Sequence, residues 1–93
     1  FAASDLMAIG AMNELLRSGI RVPDEISIIG MDDSPISRYS HPRLTTLSQP
    51  VLEMAGKTVE VLMALCDGKK LEEIDVLYQA ELIIRETTRR WNE

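Results

Sequence analysis

Apolar positions along the chain fall into two helical stretches separated by short β-rich runs. Leu6, Ile9, Met12 and Leu16 recur at helical spacing and form one stripe able to cover a sheet. Ser4 and Asp5 ahead of them are N-cap residue types and Ser18-Gly19 behind them is a stop, so the spacing predicts a helix over 5–17. Its polar residues Asn13, Glu14 and Arg17 occupy a stripe only about 100° wide, which leaves Met7, Ala11 and Leu15 facing a second partner. Gly10 costs such a helix about 1 kcal/mol relative to Ala, and a close approach of another element is expected there.

Residues 1–3 read as the end of a strand. Residues 26–31 (ISIIGM) read as another, entered through the turn RVPDE at 21–25. Strand, helix, short turn and strand make a βαβ unit, which closes right-handed with parallel strands. The expected fold class is therefore α/β, with a parallel, Rossmann-like βαβ unit. Residues 35–43 suggest a loop or short irregular helix, and 44–47 (LTTL) an extended run. A second helix then begins near Pro50 and runs to about Asp67, with Gly68 as its stop. Val51, Ala55, Val59, Leu62 and Cys66 share one of its faces, with Glu53, Lys57 and Glu60 opposite. Beyond it come a solvated loop at 69–75, a strand or strand pair at 76–78 and 81–85, and a fraying tail at 87–93.

Composition narrows the function classes. With 93 residues, 45% hydrophobic and 27% charged, the chain is at most one domain of ordinary globular make-up. A net charge of −5 with ten scattered Lys and Arg opposes direct nucleic-acid contact, which needs clustered cations. Neither a membrane-length apolar run nor a secretory leader is present in these residues, and a cytoplasmic location is the expectation. The single cysteine, Cys66, reads as a reduced core thiol. Opening on Phe1 without a methionine, the sequence reads as a piece of a longer chain. It contains no glycine-rich phosphate loop, nucleophile elbow or metal-ligand spacing, so no cofactor, metal or catalytic activity is expected.

The candidate chemistry sits at Asp32-Asp33, where the second strand ends in two carboxylates. Ligands of parallel sheets bind outside the carboxyl ends of the strands, so Ser4-Asp5 and Asp32-Asp33 are expected to face one crevice. Ionised carboxylates there can accept ligand hydroxyls or coordinate magnesium. Acid–base catalysis is poorly served, because neighbours on an extended chain point to opposite sides. By the same geometry one aspartate enters the crevice and the other braces the turn. Purely structural roles stand beside these readings: Asp-Asp-Ser-Pro is a good turn sequence, and Ser4-Asp5 a good cap. Tyr39, next to Arg38, is of a type enriched where subunits meet.

Four blocks carry a family resemblance: residues 3–11 (ASDLMAIGA), 19–33 (GIRVPDEISIIGMDD), 44–50 (LTTLSQP) and 81–88 (ELIIRETT). In this order and spacing they resemble the C-terminal third of the effector-binding domain of LacI/GalR-family transcriptional regulators, a two-lobed fold like that of periplasmic sugar-binding proteins. The resemblance implies that 1–46 and 81–88 belong to the C-terminal lobe, that 49–79 is a segment of the N-terminal lobe, and that 89–93 is a tail. The connections at 44–49 and 79–81 then become hinge crossings. It also implies a sugar-responsive repressor in which Asp32 and Ser4 contact a small effector, a sugar or related compound or a purine, in the interlobe cleft. Ser4 stands where the family usually has asparagine. A homodimer interface is implied at Met7, Ala11, Leu15 and Tyr39, with DNA bound only through an N-terminal domain outside this sequence. The rival readings are a periplasmic sugar-binding protein and a magnesium-dependent phosphoryl-accepting domain.

Overall fold

The computed structural model describes residues 1–70 and 75–91. Its elements are α1 (Asp5–Arg17), β1 (Ile29–Met31), a short 3₁₀ helix (Pro35–Arg38), β2 (Thr45–Ser48), α2 (Val51–Cys66) and β3 (Glu81–Ile83). The sheet order is β1-β2-β3. β1 runs parallel to β2 with Gly30 opposite Thr46, and β2 antiparallel to β3 with Leu47 opposite Leu82. The class is the mixed α/β one expected, and the chain divides into two compact units, Phe1–Ser48 with the segment from Glu81 onward, and Gln49–Ala80.

In the first unit α1 begins and ends where its caps dictate. The Ser4 hydroxyl accepts a hydrogen bond from the Met7 N–H at 3.2 Å, and Gly19 closes the helix at φ +83°, a conformation that favours glycine. The buried face differs from the one expected. Asp5, Ala8 and Met12 are buried, with Ile9 and Leu15 partly so, while Leu6 and Leu16 are exposed. The cause is Asp5, whose carboxylate is held inside the unit and rotates the helix toward its own side. Ala8 and Met12 then complete a small core with Val22, Ile28 and Leu44.

The close approach expected at Gly10 occurs at Gly30 instead. Among the described residues no other element comes within 4 Å of a Cβ placed on Gly10, whereas one on Gly30 would meet Asp5 Oδ1 at 2.5 Å and Leu44 Cδ2 at 2.8 Å. A bare glycine in β1 is what lets the first turn of α1 settle on the sheet.

Several strand boundaries also differ. Residues 1–3 form no strand; their link to β1 is one backbone bond, from the Ala2 N–H to the Ile29 carbonyl. β1 starts at Ile29 rather than Ile26, because the Ile28 N–H donates to the Thr87 carbonyl, outside the ladder. Thr87 is itself fully buried. Its hydroxyl accepts from the Thr45 N–H at 2.9 Å and donates to the Ile28 carbonyl at 2.7 Å. The Thr88 hydroxyl bonds that of Thr45 and the Arg89 N–H donates to the Ser27 hydroxyl, so the start of the tail expected to fray is tied to the unit.

In the second unit α2 has no buried residue. Its more sheltered positions are Met54, Lys57, Val61 and Ala64, not the stripe of Val51, Ala55, Val59, Leu62 and Cys66. The reason is the returning segment: Val76 and Tyr78 join Met54, Lys57 and Val61 around a cavity of about 280 Å³. Cys66 is exposed rather than a core thiol. Residues 76–78 form no strand, having no ladder partner for their backbone groups among the described residues. Within the loop expected at 69–75, residues 71–74 lie outside the described part. No described helix is long and apolar enough to cross a membrane.

Gly30→Ala is expected to destabilise the first unit by roughly 1–3 kcal/mol, since backbone and buried side chains must shift to admit the methyl group. The urea midpoint read against wild type checks this, and an unchanged midpoint would show that the close approach is not constraining.

Candidate functional site

The site is built around the turn that leaves β1. Asp32 and Asp33 have φ values of +110° and +52°, two successive non-glycine residues in a region L side chains rarely adopt. Such a turn persists only when its surroundings over-determine it, and here three successive backbone N–H groups and the Asp33 carboxylate are tied to other parts of the chain. The Asp32 N–H donates to the Leu47 carbonyl at 2.8 Å, and the Asp33 N–H to the Thr46 hydroxyl at 3.3 Å. The Asp33 carboxylate receives Arg85 Nη2 at 2.6 Å and lies 3.5 Å from Arg38 Nη2.

One residue further on, Ser34 is held by Asp5. The Asp5 carboxylate accepts the Ser34 N–H at 2.6 Å, the Ser34 hydroxyl at 2.8 Å and the Thr46 hydroxyl at 2.5 Å. Asp5 is 1% exposed, yet these three donors replace the water it gives up. Arg85 completes the frame, with Nη1 donating to the Ser37 hydroxyl at 2.7 Å and to the Leu44 carbonyl at 3.0 Å. Among the described residues no buried side-chain polar atom is left without a partner.

The two aspartates differ in surroundings, on a tight turn at positive φ rather than the extended strand from which alternation was argued. Asp33 is the brace. The Arg85 guanidinium bonded to it holds its carboxyl below the ordinary carboxylate range, with Arg38 adding to the effect and burial opposing it. Asp32 is exposed, at the carboxyl end of β1. Ser4, half-buried, spends its hydroxyl oxygen on the helix cap. The Asp5–Ser34 bonds bring the start of α1 to the same end of the sheet as the Asp32 turn.

Of the residues expected at a subunit interface, Met7, Ala11 and Tyr39 are exposed. Tyr39 caps the 3₁₀ helix, which packs against α1. Leu15 is turned partly onto its own core. A magnesium site fits this arrangement poorly, because Asp33 is already neutralised by two arginines and Asp5 is enclosed by donors; among the described residues no three potential ligands cluster.

Thr46 and Arg85 have no place in the sequence reading of the site, and Asp5 has one only as a cap or crevice residue, not as the buried carboxylate that holds the turn. The available signal was Arg85 itself, a cation closing an otherwise apolar strand, which requires an internal acceptor.

Comparison with known proteins now decides the family. The periplasmic binding protein-like domain matches residues 1–88. The chain belongs to this family. The periplasmic binding protein-like domain here is 46% identical over 82 residues to the HTH-type transcriptional regulator GalR of Escherichia coli K12, covering 88% of this chain and 24% of that protein. The solved complex of the transcriptional regulator CelR with cellobiose superposes with a TM-score of 0.83 at 33% identity, over 94% of this chain and 27% of that one. The lac repressor dimer bound to operator and the anti-inducer ONPF gives 0.78 at 36%, over 94% and 31%. The chain thus spans about a quarter of the length of the curated relatives it matches, which are regulators and repressors of transcription.

The sign of the Asp33 shift sets a pH dependence. A carboxyl whose folded-state pKa is depressed contributes stability that is complete above its unfolded value, near pH 4, and is lost as pH falls through the folded value. Asp33→Asn is expected to lower stability by roughly 1–3 kcal/mol at pH 7. The gap from wild type should narrow below about pH 4, as urea unfolding across pH 2–7 would reveal; a gap independent of pH would remove the ion pair as its cause.

Proposed function

We propose that this chain is the ligand-sensing part of a sugar-responsive transcriptional repressor, built as part of a two-lobed effector-binding domain and carrying no catalysis. The observation that carries the reading is the place of Asp32, an exposed residue at the carboxyl end of β1 on a turn held by Thr46, Asp5 and Arg85. A carboxyl side chain on a braced backbone at that place suits a polyhydroxylated ligand, since one carboxylate can accept two hydroxyls with charge-assisted strength. Relatives with transcriptional-repressor names and a neighbour solved with cellobiose support a sugar as the ligand class. Ser4 is the second contact in this reading. Its hydroxyl proton remains available for donation while the oxygen caps α1.

On the same reading the unit containing α1 and the sheet belongs to the C-terminal lobe, residues 1–46 and 81–88, and 49–79 contributes to the N-terminal lobe. Ligand binding shifts the whole protein between open and closed states by its differential affinity for them. A homodimer, formed through Met7, Ala11 and Tyr39 with a smaller share from Leu15, passes that shift to N-terminal DNA-binding headpieces in the cytoplasm. The lac repressor neighbour, solved as a dimer on operator, supports this arrangement.

In the complete regulator Asp32→Ala is expected to abolish the response to effector with folding retained. Calorimetric titration with D-galactose, lactose and cellobiose, alongside circular dichroism, measures both, and an unaltered affinity for a sugar that the wild type binds refutes the role of Asp32. Met7→Asp should shift the protein toward monomer in sedimentation equilibrium, by burying a charge in an apolar interface; an intact dimer would place the interface elsewhere.

A further inference from the structure

We propose that Arg85 is a positioning residue of the effector site, acting on Asp32 through Asp33. The inference rests on the reading of Asp32 as the effector-binding carboxylate and adds the residue that aims it.

Arg85 lies just beyond β3, and its side chain is only 15% exposed. Its backbone N–H donates to the Thr45 hydroxyl at 2.9 Å, fixing where the side chain starts. From there the guanidinium reaches three separate pieces of chain: Asp33 in the turn, Ser37 in the 3₁₀ helix and the Leu44 carbonyl ahead of β2. Only a planar fork with several donors can hold all three; a lysine ammonium is a single point charge on a flexible stem. Arg38 cannot take over, since it stands 3.5 Å from Asp33 and is largely exposed.

The turn needs such a brace because both its aspartates sit at positive φ. Asp5 fixes Ser34 on the exit side and Leu47 holds the Asp32 N–H on the entrance side. Between them, the Asp33 carboxylate is held most closely by Arg85 at 2.6 Å, with longer contacts from the Ser37 hydroxyl at 3.3 Å, itself bonded by Arg85, and from Arg38 at 3.5 Å. Releasing it frees the peptide that sets the direction of the Asp32 side chain, while the core around Ala8, Met12 and Leu44 keeps its contacts.

The test is a double-mutant cycle in the complete regulator, using Arg85→Gln, Asp33→Asn and the pair together. Affinity is measured by calorimetry with whichever of D-galactose, lactose and cellobiose the wild type binds. Backbone geometry is followed by HN–Hα couplings in selectively ¹⁵N-aspartate-labelled protein. Each single variant is expected to lose roughly tenfold in affinity, about the worth of one charge-assisted hydrogen bond, and the double variant no more than either alone. The coupling of Asp32 should lose its positive-φ value in all three variants, and that of Asp33 in Arg85→Gln, where it is still an aspartate. Additive losses, or couplings unchanged in Arg85→Gln, overturn the proposal. Arg85→Lys should fail to restore the couplings; full restoration also overturns it. If none of the three sugars binds, the couplings decide alone. A failure of the underlying reading looks different: Asp32→Ala keeps full sugar affinity while the couplings still respond to Arg85→Gln.

Discussion

A carboxylate removed from water must find donors or disrupt the fold, and the architecture of this domain follows from how Asp5 meets that demand. Its three donors come from Ser34 and Thr46, residues from the turn after β1 and from the middle strand. Satisfying one side chain therefore brings the start of α1, the exit of β1 and the face of β2 together at a single point. The absence of a side chain at Gly30 is the matching requirement, for the Asp5 carboxylate occupies the space a Cβ would fill. The helix face turned inward and the exposure of Leu6 are consequences of this arrangement.

A second ion centre lies on the other side of the same turn. Asp33 and Arg85 are both largely enclosed, and their pairing is supplemented by bonds from Arg85 to Ser37 and Leu44. Enclosed pairs contribute less to net stability than their short distances suggest, because desolvation offsets attraction. What they supply is a definite geometry, and here that geometry is a turn in an unfavourable region of backbone space. One aspartate is consumed in holding the turn so that its neighbour can face outward.

Much of this was legible in the residues, though unevenly. The limits of α1 followed from Ser4 and Gly19, because capping leaves unambiguous residue types at helix ends. The strand-end position of Asp32 followed from the parallel βαβ argument. The burial of Asp5 did not, since a capping aspartate and a buried one look alike until the strand beside them is placed. Thr87 was hidden for a related reason. Its role depends on backbone groups of Ile28 and Thr45, and long-range partners of that kind have no signature in local pattern. The face of α2 was misjudged because its neighbour, the segment with Val76 and Tyr78, returns from far along the chain.

The pairing of β2 with β3 gives the chain an unusual connectivity. Ser48 stands directly opposite Glu81, so everything from Gln49 to Ala80 departs and returns through adjoining rungs of one ladder. In polymer terms that stretch is a closed loop whose ends are stapled by the sheet, and the entropy of closing it grows only with the logarithm of its length. Insertions and deletions within it should accordingly be inexpensive for the part that carries Asp32. Descendants of such a protein can therefore remodel this stretch while inheriting the rest almost untouched.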